Sequence, residues 1–214
     1  MNIEKIPKED VSNEGDFINF KIIIIGDSGV GKSCILKRAV HNHFDEKYQA
    51  TIGFEFLLLH YSVNGIKIKL QIWDTCGQEL YRSLVQGFYR NTSLVILAYD
   101  ISCKESYKSL DFWFEDLRKK LDKELPIFIV GNKYDLEDNR EIDFNEAKEY
   151  SVSKGAKFFT ECSAKTGYKV ENIFEEAAKC LYNTREELGK INNFNKLKIS
   201  SDNGGDKKKK KKCC

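Results

Sequence analysis

The sequence predicts an α/β fold: a mostly parallel six-stranded sheet with one antiparallel edge strand and helices on both faces. Three observations predict it. Apolar β-branched runs alternate with stretches of helical spacing, which is the pattern of a parallel sheet covered on both sides. Asn64-Gly65 separates two strand-like runs and is a two-residue hairpin signal, so one strand must run antiparallel. Gly26-Asp27-Ser28-Gly29-Val30-Gly31-Lys32-Ser33 fits G-x-x-x-x-G-K-[ST], and with a strand before it and a helix after it this is a P-loop NTPase fold.

The elements follow in order. Residues 1–17 are polar and without period, the composition of a flexible N-terminal arm. Phe20 to Ile25 reads as a buried strand and Ser33 to Val40 as the first helix. His41 to Thr51 is a long polar loop beside the phosphate loop, where long loops are often functional. Its His41 and His43 lack a third metal ligand and read as an exposed turn. Phe56 to Val63 and Ile66 to Trp73 form the hairpin, and Leu94 to Tyr99 is a third core strand. Tyr107 to Leu121 carries apolar residues at 107, 110, 114, 117 and 121, a helical stripe. Pro126 to Gly131 is another buried strand. Asp143 to Lys154 is a helix stopped by Gly155. Lys157 to Thr160 is a short strand, and Val170 to Leu188 is a final helix with Val170, Ile173, Phe174, Ala177, Ala178 and Leu181 on one face. The domain therefore spans 18–188, and 189–214 is a flexible tail.

The phosphate loop states its own chemistry. Glycines let the chain curl so that successive N–H groups point inward at phosphate oxygens, and the helix N-terminus adds partial positive charge. The candidate contacts are Ser28, Gly29, Val30, Gly31, Lys32, Ser33 and Cys34. Lys32 can reach the β- and γ-phosphates, and the Ser33 hydroxyl can ligate Mg²⁺. Further on, Trp73-Asp74-Thr75-Cys76-Gly77-Gln78 places an aspartate at a strand end, the expected helper in holding Mg²⁺. Gly77 allows a backbone amide close to the γ-phosphate, and Gln78 is an uncharged side chain able to orient water. Ligands of such sheets sit at the carboxyl ends of strands. The phosphate loop, Asp74, the 132–135 stretch and Ser163-Ala164-Lys165 all follow strands, so four segments converge on one edge.

Composition excludes several classes. No run of 18 apolar residues is present, so no transmembrane helix is expected, and the N-terminal stretch lacks the apolar core of a secretory signal. Seven cysteines without a C-x-x-C pair indicate neither a disulfide framework nor a zinc site, which suits a reducing cytosol. From Lys190 onward nine lysines face two aspartates, a net +7. The total of +2 leaves −5 on the rest, so the body is not a nucleic-acid binder.

Together these segments resemble the Ras-like small GTPases over roughly residues 18–185. Asn132-Lys133-Tyr134-Asp135 resembles the family's N-K-x-D, and Ser163-Ala164-Lys165 its S-A-K loop. The resemblance implies that Asp135 accepts from guanine N1–H and the 2-amino group, selecting GTP over ATP. It implies that Asn132 bridges the base-binding segments, that the Lys133 stem covers the ribose–base face, and that the Ala164 amide meets guanine O6. It places Phe44 on the guanine, Thr51 on Mg²⁺ and the γ-phosphate, Asp74 on Mg²⁺ through water, and Gln78 on the attacking water. Catalysis would then rest on Gln78, Lys32 and Gly77, the metal on Ser33, Thr51 and Asp74. Within the family the Rab branch fits best: Ile52-Gly53-Phe54-Glu55-Phe56 and Lys69-Leu70-Gln71-Ile72-Trp73-Asp74-Thr75 resemble its I-G-x-D-F and K-L-Q-I-W-D-T. Phe56, Trp73 and Phe88 fall at its effector-contacting aromatic triad.

The chain departs from the pattern at Cys76, where the family has Ala, at Leu80, where Arg is usual, and over Phe88-Tyr89-Arg90-Asn91-Thr92. These positions bear on hydrolysis rate and partner choice. Six lysines, Lys207 to Lys212, precede Cys213-Cys214, a pair that resembles the Rab Cys-Cys ending, where both thiols are geranylgeranylated. Two lipids anchor stably where one is marginal, and each lysine adds about 1 kcal/mol against anionic lipid. The expectation is a monomeric GTP/GDP switch with Mg²⁺, hydrolysing GTP slowly and regulating vesicle trafficking from the cytoplasmic face of endomembranes, with a cytosolic pool. Its implied partners are an exchange factor, a GTPase-activating protein, a GDP-dissociation inhibitor, a prenylation escort and effectors. Two rivals are a nucleotide kinase, which needs an Arg-rich lid that the sequence does not show, and a GTP-binding scaffold with little hydrolysis, against which Gln78 argues.

Overall fold

The structure, a computed structural model, describes residues 1–11, 17–46, 54–75, 89–121 and 124–202. Strands β1 (Ile3–Ile6), β2 (Ile18–Ile25), β3 (Phe54–Val63), β4 (Ile66–Thr75), β5 (Thr92–Asp100), β6 (Ile127–Asn132) and β7 (Phe158–Glu161) form one sheet in the order β1-β3-β4-β2-β5-β6-β7. Strands β4, β2, β5, β6 and β7 run parallel, while β3 is antiparallel to β4 and β1 antiparallel to β3. Helices α1 (Lys32–His41), α2 (Lys104–Lys120), α3 (Phe144–Ser153) and α4 (Val170–Asp202) cover it.

The four consecutive isoleucines that end β2, Ile22 to Ile25, explain the layering. Successive strand side chains point to opposite faces. Ile22 and Ile24 join a core built with Ile35 and Leu36 of α1 and Ile173, Phe174 and Ala177 of α4. Ile23 and Ile25 join a second core with Leu110, Trp113, Phe114 and Leu117 of α2 and Ala147 of α3. Helices thus lie on both faces, and β2 is buried from both. The hairpin turns at Asn64 and Gly65 with φ of 50° and 81°, the left-handed pair that a two-residue turn between twisted strands requires. Helix α3 begins at Asp143, whose carboxylate accepts from the Asn145 and Glu146 amides at 2.8 and 3.1 Å, and Gly155 at φ 72° ends it.

Three expectations need correction. The sheet has seven strands, not six, and two of its pairings are antiparallel. The arm is not wholly flexible, because Ile3–Ile6 pairs with β3 in the register Ile3↔Val63 to Ile6↔His60. An uncovered β3 edge offers unpaired N–H and C=O groups, and this short strand satisfies them until Pro7 removes the next donor. Lys5 fastens it, donating to the Ala39 carbonyl oxygen at 2.8 Å and to Glu171 of α4 at 2.6 Å. The Glu171 carboxylate also accepts from the buried Tyr61 hydroxyl at 2.5 Å. Third, α4 does not end near Leu188 but continues to Asp202, so residues 189–202 are helical rather than a flexible linker. No proline interrupts 170–202, and the first dense breaker is Ser200-Ser201-Asp202-Asn203-Gly204-Gly205. Among the described residues no helix is long and apolar enough to cross a membrane.

Candidate functional site: a phosphate loop facing a base-recognition corner

The phosphate loop leaves the end of β2 and enters α1 without a side-chain cap, so the helix N-terminus stays open toward the loop. Gly26 has φ 145°, and a Cβ there would stand 2.2 Å from the Ala98 carbonyl oxygen of β5. Glycine is therefore required both by conformation and by the close approach of the neighbouring strand. Val30 is buried and pins the far side of the loop to the core. The Lys32 ammonium lies inside the curl, donating to the Gly26 and Asp27 carbonyl oxygens at 2.9 and 2.7 Å. Trp113 of α2 donates its indole N–H to Asp27 at 2.9 Å, bracing the loop from the other side.

Ser33 opens α1 and its hydroxyl donates to Asp74 Oδ2, at the end of β4. Asp74 is 1% exposed, and its other oxygen, Oδ1, has no hydrogen-bond partner. Burial pushes this carboxyl above the ordinary range, against the pull of the Ser33 hydroxyl and the Lys32 ammonium. A buried carboxylate with an unused oxygen beside a hydroxyl is a donor set for a hard cation. Among the described residues no three His, Cys, Asp or Glu side chains gather as a complete metal cage. Cys34 is half-buried one residue on, and burial raises its thiol pKa.

The second half of the site is built by β6 and β7. Asn132, buried at the end of β6, donates through Nδ2 to the Val30 carbonyl oxygen at 2.8 Å and accepts at Oδ1 from the Ala164 amide at 3.1 Å. It thereby ties the phosphate loop to the 163–165 loop. Asp135, exposed, accepts from the buried Ser163 hydroxyl at 2.5 Å. Ser163 in turn accepts from the Thr166 amide at 3.1 Å. Lys133 adopts φ 67° and its ammonium pairs with Asp100 at 2.6 Å, at the end of β5. Lys165 is exposed and stands 3.6 Å from Glu46. Of the groups expected to meet a base, Asp135 and Lys165 are exposed, whereas Ala164 is buried and its amide is engaged by Asn132.

Phe44 is half-buried against the α1–α4 core. Phe56 is 51% exposed and stacks on Trp73 with centroids 5.4 Å apart, and the Lys21 ammonium lies 4.9 Å from the Trp73 ring. Phe56 and Trp73 thus form a stacked pair with Phe56 at the surface. Thr51, Cys76, Gly77, Gln78, Leu80, Phe88, Cys213 and Cys214 lie outside the described residues.

Sequence reasoning missed Arg38. From the last turn of α1 its guanidinium donates to the carbonyl oxygens of Ala164 at 2.8 Å and Lys165 at 2.6 Å, and also to Asn42 at 2.9 Å. An arginine four residues before a helix C-cap reads as an ordinary dipole partner, so nothing local signalled this role. Trp113 and Asp100 were likewise unmarked, since each acts on a segment far away in the chain.

A curled loop over an open helix end, joined through one asparagine to a carboxylate-bearing corner, makes this a nucleotide-binding protein of the phosphate-loop class. A model of the Ras family matches residues 21–183. The chain is 39% identical over 178 residues to Ras-related protein Rab-30 of Homo sapiens, covering 83% of this chain and 87% of that protein, and equally so to the Mus musculus protein. It is 41% identical over 173 residues to Ras-related protein RABA4b of Arabidopsis thaliana, covering 81% and 76%. The chain belongs to the Ras family, as a small GTPase of the Rab type, and it is a GTP hydrolase.

Proposed function

We propose that this Rab-like small GTPase is a GTP/GDP switch in vesicle trafficking and that the residues converging at the sheet edge perform it. The observation that carries the assignment is Asn132, bonded at once to Val30 of the phosphate loop and Ala164 of the base loop. It ties the two halves of the site to each other. In this reading the loop amides from Ser28 to Cys34 cradle the phosphates and Lys32 neutralises their charge. Ser33, Thr51 and Asp74 hold Mg²⁺, which when bound supplies charge stabilisation at the β- and γ-phosphates. Asp135 and the Ala164 amide read guanine, with the Lys133 stem and Phe44 packing about the base and Ser163 and Lys165 supporting. Gln78 orients the attacking water and the Gly77 amide meets the γ-phosphate. Positioning and electrostatics carry the rate.

Arg38 has its guanidinium engaged by the carbonyl oxygens of the base loop. An activating protein supplying an arginine would speed turnover. Regulators and effectors are general to the family. We further propose an exchange factor, a GDP-dissociation inhibitor and a prenylation escort as partners, with effectors docking on Phe56, Trp73 and Phe88. Cys213 and Cys214 carry two prenyl groups that, with the preceding lysines, hold the monomer on the cytoplasmic face of endomembranes, with a cytosolic pool.

The test of the base assignment is Asp135→Asn. It replaces an acceptor oxygen by a donor NH₂ facing guanine N1–H, and an unmatched group costs about 1–3 kcal/mol. GTP affinity should fall at least tenfold in a titration with full-length protein. Unchanged affinity would remove Asp135 from the base site.

A further inference from the structure

Tyr134 and Tyr168 stand on the two loops that the base must bridge. Tyr134 is the third residue of Asn132-Lys133-Tyr134-Asp135, and Tyr168 follows Ser163-Ala164-Lys165. Their rings stack with centroids 4.9 Å apart and planes 24° from parallel. Under the rings the Tyr134 backbone ties to the other segment, while the Tyr168 carbonyl closes its own loop. The Tyr134 amide donates to the Cys162 carbonyl oxygen at 3.0 Å, and the Ser163 amide to the Tyr168 carbonyl oxygen at 3.0 Å. Both side chains remain exposed, 37% and 43%, so core packing does not force them together. Cations flank the stack: Arg140 lies 6.0 Å from the Tyr134 ring and the Lys169 ammonium 5.1 Å from the Tyr168 ring. Arg140 is itself fixed by two bonds to the buried Glu161 of β7, at 2.8 and 2.7 Å.

Reading guanine requires the Asp135 carboxylate and the Ala164 amide at the same moment, and these groups belong to different loops. Polar ties between the two segments include Ser163 to Asp135, Asn132 to Ala164 and the Tyr134 amide to Cys162. The exposed stack adds an apolar tie to these. We propose that the Tyr134–Tyr168 stack is a clasp on the solvent side that fixes the two base loops relative to each other, slows guanine-nucleotide release and sharpens base choice. Both tyrosines are positioning residues, and the inference rests on the base-site reading given above. An offset aromatic pair is worth enough to alter a rate constant by about twofold to tenfold.

The test uses full-length protein with Mg²⁺ and follows release of fluorescent GDP and IDP, the latter lacking the 2-amino group. Tyr134→Ala and Tyr168→Ala should each raise GDP release about twofold to tenfold. The double variant should be no faster than the faster single one, because both changes break one contact. Replacing both by Phe should restore the parent rate, since the stack needs rings rather than hydroxyls. The ratio of IDP to GDP release should narrow in the Ala variants, which a loss of fold stability alone would not produce. Parent rates in both Ala variants, strictly multiplying effects, or an unchanged IDP/GDP ratio would each overturn the clasp. Asp135→Asn is measured beside them. If it releases GDP at the parent rate, the base-site reading fails and takes the clasp with it. If it is fast while the tyrosine variants are not, only the clasp fails.

Discussion

Asn132 donates to the Val30 carbonyl oxygen at 2.8 Å across 102 residues of chain, and the same carboxamide accepts from the Ala164 amide. It is 2% exposed, so removing it strands a buried carbonyl and a buried amide together. Each unsatisfied group costs about 1–3 kcal/mol. Asn132→Ala should weaken GDP binding by tenfold or more while the sheet still melts cooperatively. The measurement is GDP release alongside thermal unfolding, and parent-like release would show that the two loops are placed by other contacts.

Gly26 tests the loop from the strand side. A Cβ at this position meets the Ala98 carbonyl oxygen at 2.2 Å, in a backbone conformation with φ 145°. The obstructing atom is main chain of the neighbouring strand, which cannot rotate away. Gly26→Ala should destabilise the fold by about 3 kcal/mol, near the upper end of single-residue effects. Urea unfolding midpoints of the two proteins measure this, and a difference under about 1 kcal/mol would mean that β5 yields.

Ser33 and the metal can be separated from the base. The Ser33 hydroxyl faces Asp74, whose second oxygen is unused. Ser33→Asn should weaken Mg²⁺ binding and lower affinity for GTP more than for GDP, because the γ-phosphate depends more on the ion. Chelating Mg²⁺ from the parent should speed GDP release, and the variant should respond less. Equal losses for both nucleotides would take Ser33 out of the ligand set.

Gln78 and Cys76 give opposite expectations two residues apart. Gln78→Leu should keep GTP binding and stop turnover, since Leu cannot hydrogen-bond the nucleophile. Cys76→Ala should speed intrinsic hydrolysis if the larger thiol perturbs the approach of this loop to the γ-phosphate. Single-turnover hydrolysis of preloaded GTP reads both without product release. Parent-rate hydrolysis by Gln78→Leu removes the water-positioning role.

Lys5 tests the edge strand. Its ion pair with Glu171 is about one-third exposed on the lysine side, so its own contribution is under about 1 kcal/mol. Lys5→Ala should leave GDP release unchanged while β1 amides lose protection from hydrogen exchange. Retained protection would mean that the four-residue ladder with β3 holds unaided.

What could be read from the sequence was local. Four consecutive isoleucines, the glycine loop and Asn64-Gly65 each carry their meaning in neighbouring residues, so the central strands, the turn and the phosphate loop stood where expected. Ile3–Ile6 did not, because Glu4 and Lys5 occupy its middle and its reason to be a strand is the β3 edge, whose His60 pairs with Ile6 and whose Val63 pairs with Ile3. Arg38 was equally opaque. Its chemistry is plain in the sequence, but its destination, Ala164, is 126 residues on. The extension of α4 past Leu188 was missed because Asn, Ser and Gly content with few apolar residues reads as a linker, whereas a helix whose first turns are packed propagates more readily than it starts.

The bond from Lys5 to Glu171 joins positions 166 apart in the chain. On a ribosome adding about 5–20 residues per second, roughly ten to thirty seconds pass between the emergence of these two side chains. Strand β1 therefore gains this bond long after it is made. Through that interval β1 rests on β3 by its four-residue ladder alone, from Ile3↔Val63 to Ile6↔His60.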